Sequence, residues 1–122
     1  MKRKVLISSI LLVAFILLAV GSGESKPKDP NAWKTENNST MAYVMMQQFV
    51  EKQLKSPSTA KFPSTVNEEV KIVNKGNQTY SMVAFVDSQN SFGATIRTYF
   101  VGEIKQTSDD QWQLISLQFV EN

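Results

Sequence analysis

The chain has 122 residues, a formal net charge of +2, and neither Cys nor His. That length suits one small domain. The missing side chains exclude Ser–His and Cys–His nucleophiles, zinc sites built on His or Cys, disulfide staples and lipid attachment through a thioether.

Met1-Lys2-Arg3-Lys4 precedes the apolar run Val5 to Val20, VLISSILLVAFILLAV, and the small residues Gly21-Ser22-Gly23. A basic start, an apolar stretch and small residues form the pattern of a secretory signal peptide. The apolar run is 16 residues long, slightly short of the ~20 that a permanent spanning helix needs. Residues 1–23 are therefore expected to be a cleaved signal or an uncleaved membrane anchor, with the rest of the chain outside the cytoplasm. Ser22 stands where a lipoprotein signal would carry its lipid-bearing Cys. The positive charge belongs to the signal: without Lys2, Arg3 and Lys4, Lys+Arg falls from 13 to 10 against 11 acidic residues, leaving the remainder near −1. That remainder has no basic patch, so nucleic acid is not an expected partner, and membrane contact is expected only through residues 5–20. The Asn-x-Ser/Thr triplets at Asn37, Asn38 and Asn77 are read as chance matches to a common pattern.

Residues 24–40 are polar, hold Pro27 and Pro30, and show no apolar period. They are expected to form a flexible linker in which only Trp33 could dock. An α+β domain is expected over 41–122. Met41 to Lys55 reads as a helix, with an apolar stripe at 41, 42, 45, 46, 49, 50 and 54, capped by Asn38, Ser39 or Thr40 and stopped by Ser56-Pro57. Met45 and Met46 fit core packing better than an adaptable binding groove. SPSTAKFP (56–63) reads as an extended connector, with Phe62 tucked under the helix end.

Four strands follow: Val66–Asn74, Thr79–Asp87, Ala94–Gln106 and Gln111–Glu121. Val66, Val70 and Ile72 share a face in the first, and the next hairpin turn centres on Lys75-Gly76. In the second strand Tyr80, Met82, Ala84 and Val86 lie opposite Ser81, Val83 and Phe85. In the third, Ala94, Ile96, Phe100 and Ile104 share a face. In the last, Trp112, Leu114 and Val120 lie opposite Ile115, Leu117 and Phe119. Short turns imply an antiparallel meander, with one helix packed on a four-stranded sheet. This architecture resembles cystatin-like and NTF2-like proteins at the level of fold. One helix covers only one side, so Val83, Phe85, Tyr99 and Val101 form a half-apolar outer face. Two readings of that face stand: a partner or self-association surface, or a surface covered by sheet twist and the linker.

No cofactor, metal ligand set or catalytic constellation is expected. Glu68 and Glu69, as strand neighbours, point to opposite faces, and Asp109-Asp110 is turn chemistry. A hydrolase would need Asp87, Glu103 and Glu68 to converge. The densest polar set is FVDSQNSFGATIR (85–97). Asp87, Gln89, Asn90, Phe92 and Arg97 are the candidate binding residues of a tip between two strands. The plainer reading is that Asp and Asn make side-chain turns, Gly93 supplies an unusual backbone angle and Phe92 folds back onto the sheet edge.

LKSPSTAKFP (54–63) and VDSQNSFGATIR (86–97), in that order after the helix AYVMMQQFV, resemble a small, poorly characterised domain. It belongs to exported and membrane-anchored proteins of Gram-positive bacteria and their phages. The resemblance runs from about Ala42 to Phe119. It implies an extracytoplasmic domain, secreted or anchored, with no established activity. Relatives often carry Cys in the helix, in the strand after the Arg or in a lipoprotein signal; Met46, Val101 and Ser22 stand here instead. The expected role is a non-enzymatic domain that binds a protein or envelope partner, with a sheet-mediated homodimer as the alternative.

Overall fold

The computed structural model describes residues 4–6 and 29–120. The helix α1 is Ser39–Glu51, and it buries Ala42, Tyr43, Met45, Met46, Phe49 and Val50. These positions recur every three or four residues, so they line one side of the helix. The two methionines are core residues, both essentially inaccessible. Met41, expected in the stripe, is 40% exposed. Tyr43 takes its place, its hydroxyl donating to the Pro63 carbonyl at 2.7 Å.

No side-chain cap forms at Asn38. Its Nδ2 donates instead to Gln106 Oε1 at 2.8 Å, and its backbone N–H donates to the Tyr80 hydroxyl at 2.9 Å. The Ser39 amide goes to Asn37 Oδ1 at 3.1 Å. This tertiary bond, to an oxygen that Gln78 also reaches, engages the Asn38 side chain and keeps it from capping the helix. The helix also ends short of Lys55. Pro57 opens a 3-10 turn, Pro57–Thr59, and Phe62 packs edge-on against Phe100 at 6.3 Å.

The strands are β1 (Lys4–Leu6), β2 (Lys71–Gly76), β3 (Thr79–Gln89), β4 (Thr95–Ser108) and β5 (Gln111–Val120), in sheet order β1-β5-β4-β3-β2. β2 to β5 make the antiparallel meander, and α1 lies on one of its faces, so the fold is α+β with one helix on a meander sheet. The backbone of β1 adds a short antiparallel fifth strand against Gln111, Trp112 and Gln113. That strand is not legible in the sequence, where Val5 and Leu6 open the apolar run. The remainder of the expected signal segment lies outside the described residues. No helix among the described residues is long and apolar enough to cross a membrane.

Three expectations about the strands are corrected. First, β2 begins at Lys71, not Val66, and Val66 is 90% exposed. Asn67 Oδ1 accepts from the Glu69 amide at 2.8 Å, and backbone turns close from Asn67 to Ser64 and from Val70 to Asn67. These local bonds offer the backbone an alternative to a ladder and override the β preference of Val66. Second, the β2–β3 turn centres on Asn77 and Gln78, at φ 53° and 55°, between paired Gly76 and Thr79. Two consecutive residues of this kind match the twist of a hairpin. Third, Glu103 faces Ser116 whereas Ile104 faces Leu114, so Ile115 is one extra residue in β5. A bulge inverts the alternation beyond it. Trp112, Leu114, Leu117 and Phe119 therefore all join the helix-side core, and Val120 is left 46% exposed on the other face.

The core centres on Tyr80, Met82, Phe100, Ile104, Met45, Met46, Val50 and Val86. Gly102 sits where β4 passes under the helix. A Cβ there would lie 2.5 Å from Met46 Cε and 3.3 Å from the Ser116 carbonyl, so glycine permits the close approach. Within the expected linker, Ala32–Lys34 form a 3-10 turn. Gln78 Nε2 donates to the carbonyls of Trp33 and, at 3.0 Å, Glu36. Residues 33–36 are thus fastened to the sheet end that carries the β2–β3 and β4–β5 turns.

Candidate functional site

The opposite end of the sheet holds the β3–β4 turn. β3 pairs with β2 over Thr79 to Val83. Further along, its exposed edge is taken by the SPSTAKFP connector. Lys61 and Asp87 exchange backbone bonds at 2.8 and 2.9 Å, and the Gln89 amide donates to Thr59 Oγ1 at 2.9 Å. The two stretches that stood out in the sequence are therefore direct neighbours, and each fixes the other.

Asn90 builds the turn. Its Oδ1 accepts from the amides of Phe92 (2.9 Å) and Ala94 (3.0 Å), and its backbone N–H donates to the Ala94 carbonyl at 2.9 Å. Gly93, at φ 83°, provides the left-handed residue that closes it. Asn90 and Gly93 thus have structural roles, as the plainer sequence reading expects. Phe92 departs from that reading. It is 93% exposed rather than folded onto the sheet edge, because the two bonds to Asn90 hold the flanking backbone with its side chain pointing away.

Asp87 and Arg97 stand directly opposite in the β3–β4 register. The guanidinium binds both carboxylate oxygens, Nε to Oδ1 at 2.8 Å and the terminal nitrogen to Oδ2 at 2.9 Å. It also lies over the Phe85 ring, 3.9 Å from its centroid. Phe85 meets Tyr99 edge-on at 5.8 Å. The Tyr99 hydroxyl donates to Glu69 Oε1 at 3.0 Å, and Glu69 Oε2 stands 3.8 Å from Arg97. Arg97 hydrogen bonding holds the Asp87 carboxyl below the usual carboxylate range, and Asp87 in turn raises the guanidinium further. The cluster neutralises one carboxylate, shares a second, and reduces Phe85 to 5% exposure. At this end the outer face is thus covered by the sheet's own side chains. Val83 and Val101, one step along, remain 40% and 42% exposed.

On the helix side of the same end is an open cleft of about 370 Å³. Leu54, Ile96 and Phe119 contribute apolar surface to it, and Lys55, Gln89 and Asn90 contribute polar atoms. The five candidate residues therefore gather at one end of the sheet but not on one surface. Asp87 and Arg97 lie on the outer face, Gln89 and Asn90 line the cleft, and Phe92 projects beyond both. Sequence reasoning missed Glu69, Phe85 and Tyr99 as partners of Arg97. Phe85 and Tyr99 are read from the sequence as outer-face residues; the same period-two alternation places 87 and 97 on that face and could have joined them to the aromatic pair. Glu69 comes from an irregular turn and leaves no such signal.

Asp87 and Glu103 do not converge. Glu103 pairs across from Ser81, six positions from Asp87 along β3, which is about 20 Å at ~3.3 Å per residue. Glu103 is also ion-paired to Lys75 at 2.9 Å. A second cleft, about 430 Å³, lies at the opposite end between Trp33, Asn77, Gln78 and Lys105. Its buried amides, Gln78 and Gln106, bond to each other at 3.3 Å and to the surrounding backbone. Comparison with protein-family models, curated proteins and solved structures finds no match for this chain.

Proposed function

We propose that the chain is an exported, non-enzymatic domain of a bacterial cell surface that binds a protein or envelope partner through the end of the sheet carrying Phe92. The observation that carries this reading is Phe92, 93% exposed on a turn whose backbone is fixed by hydrogen bonds. An aromatic side chain presented to water on a fixed backbone gains nothing from the fold, and with only two side-chain torsions to order it loses little conformational entropy on docking. Ile96, 46% exposed, and the apolar part of the neighbouring cleft extend the contact. Arg97, stacked on Phe85 and flanked by Tyr99, adds the residue types that dominate protein interfaces.

Export is supported by the basic, apolar and small-residue pattern of residues 1–23. It is also supported by the resemblance of 42–119 to exported domains of Gram-positive bacteria and phages. A non-enzymatic role is supported by the lack of His and Cys and by the engagement of Asp87 and Glu103 in ion pairs. The fold-level likeness to cystatin-like and NTF2-like proteins fits a binding scaffold and carries no activity. The test is capture of envelope components by the wild type, by Phe92→Ala and by Ile115→Ala, whose side chain lies in β5 away from the turn. A component retained by wild type and Ile115→Ala but lost with Phe92→Ala supports the reading. Equal retention by all three overturns it. Cell fractionation tests the location: recovery of the chain in the cytoplasm alone rules out export.

A further inference from the structure

The two edges of the sheet are unlike. β2 is six residues long and carries Lys71 and Lys75, the kind of short, charged edge that resists pairing with another chain. β5 is ten residues long, QWQLISLQFV, without a charge, a proline or a glycine. β1 occupies its outer side only at Gln111 to Gln113. From Leu114 to Val120 that side has no strand partner among the described residues.

We infer that the open edge of β5 takes a second copy of the chain, by antiparallel pairing of residues 116–120 about a two-fold axis at Gln118. Two-fold pairing sets each residue against itself or a near neighbour, so a charged strand would meet its own charge. The uncharged β5 meets that condition and β2, with its lysines, does not. The register follows from the bulge at Ile115. An axis at Leu117 would bring Ile115 into the ladder. An axis at Gln118 keeps all five paired residues beyond the bulge and clear of 111–113, so the register is the same with β1 in place or removed with the export signal.

In that register Gln118 faces Gln118 of the second copy, Leu117 faces Phe119, and Ser116 faces Val120. Within one chain, Leu117 and Phe119 lie opposite Gly102 and Phe100 on the helix side, whereas Ser116, Gln118 and Val120 lie opposite Glu103, Val101 and Tyr99 on the outer face. Every proposed pair thus joins residues of the same face, as an antiparallel ladder requires. The half-buried Leu117 and Phe119 would gain apolar neighbours, and the exposed Val120 would be partly covered. The guarded β2 edges at the far ends would stop further addition, giving a closed dimer rather than a filament. This pairing is independent of partner binding at Phe92.

The absence of cysteine makes the test clean. Full-length chain carrying Gln118→Cys, exposed and away from the core, is oxidised mildly and run without reductant. Directly opposed residues of an antiparallel pair have Cα atoms about 4.5–5.5 Å apart, within disulfide reach. The expected result is conversion to dimer, whereas Val73→Cys, exposed on β2, stays monomeric. Sedimentation provides a second arm: wild type should run as a dimer, and Gln118→Lys, which sets like charges face to face, as a monomer with unchanged circular dichroism. A monomeric wild type, a Gln118→Cys chain that cross-links no faster than Val73→Cys, or a folded Gln118→Lys chain that remains dimeric overturns the inference.

Discussion

The two ends of the sheet are both closed by polar turns and do opposite things. At the end near residue 33, polar side chains point inward. Gln106, 3% exposed, accepts from Asn38 and Gln78 and donates to the Asp109 carbonyl. At the end near residue 92, Asn90 satisfies its turn locally and presents an aromatic ring to water. The first end spends its hydrogen bonds on tying 33–38 and α1 to the sheet. The second spends them on holding a shape that faces outward. Polarity alone therefore does not mark a site; whether the polar atoms are used up inside the fold decides it.

That contrast breaks most severely at Gln106. Gln106→Ala removes the oxygen that accepts from the part-buried Asn38 amide and the buried Gln78 amide, and an uncompensated buried group costs ~1–3 kcal/mol. The variant is expected to lose about 3 kcal/mol in urea unfolding, with the slope unchanged. Asn90→Ala removes two bonds in an exposed turn and is expected to lose only ~1 kcal/mol. Asn90→Asp keeps the accepting oxygen and should restore most of that. If Asn90→Ala proves as damaging as Gln106→Ala, the two ends are not distinguished in the way described.

Much of this frame could be read in the residues themselves. The helix is written in the three-and-four spacing of Ala42, Met45, Met46 and Phe49, and the central hairpin in the alternation of Tyr80, Met82, Ala84 and Val86. The failures have local causes. In QWQLISLQFV the polar residues fall at 111 and 113 and then at 116 and 118, so the alternation changes parity at Leu114-Ile115; reading one unbroken alternation through that switch hid the inserted residue. Val66 has a strand former's side chain, but the conformation of its segment is set by Asn67 and Ser64. At the site, the Asp87–Arg97 pair lies within one hairpin and was visible as a candidate. The Glu69 contact depends on a turn folding over the outer face, which is a tertiary fact with no local signature.

The ion pair provides a smaller test of the outward-facing end. Arg97 holds the folded-state Asp87 carboxyl below its ordinary value. A depressed carboxylate contributes stability that is present above the unfolded value, ~4, and disappears as the pH falls through the folded one. The stability gap between wild type and Asp87→Asn should therefore be constant near neutrality and close below about pH 4. Both side chains are partly solvated and screened, so the gap should be small and should shrink with salt. A gap that widens in acid would mean that the pair is not what shifts the carboxyl.

Phe92 gives the smallest effect on stability and the sharpest on the comparison. Its ring touches nothing that the fold needs, so Phe92→Ala should stay within about 0.5 kcal/mol of wild type. Its flanking amides remain bonded to Asn90, so the turn should keep its shape. Partner binding, in contrast, should fall steeply, because a buried aromatic anchor typically contributes ~2 kcal/mol or more to an interface. The decisive result is the separation of the two readouts. If Phe92→Ala destabilises the domain as much as it weakens binding, the ring is part of the fold after all. If it changes neither, the exposed ring has no role and the binding surface must be sought at the cleft or the outer face.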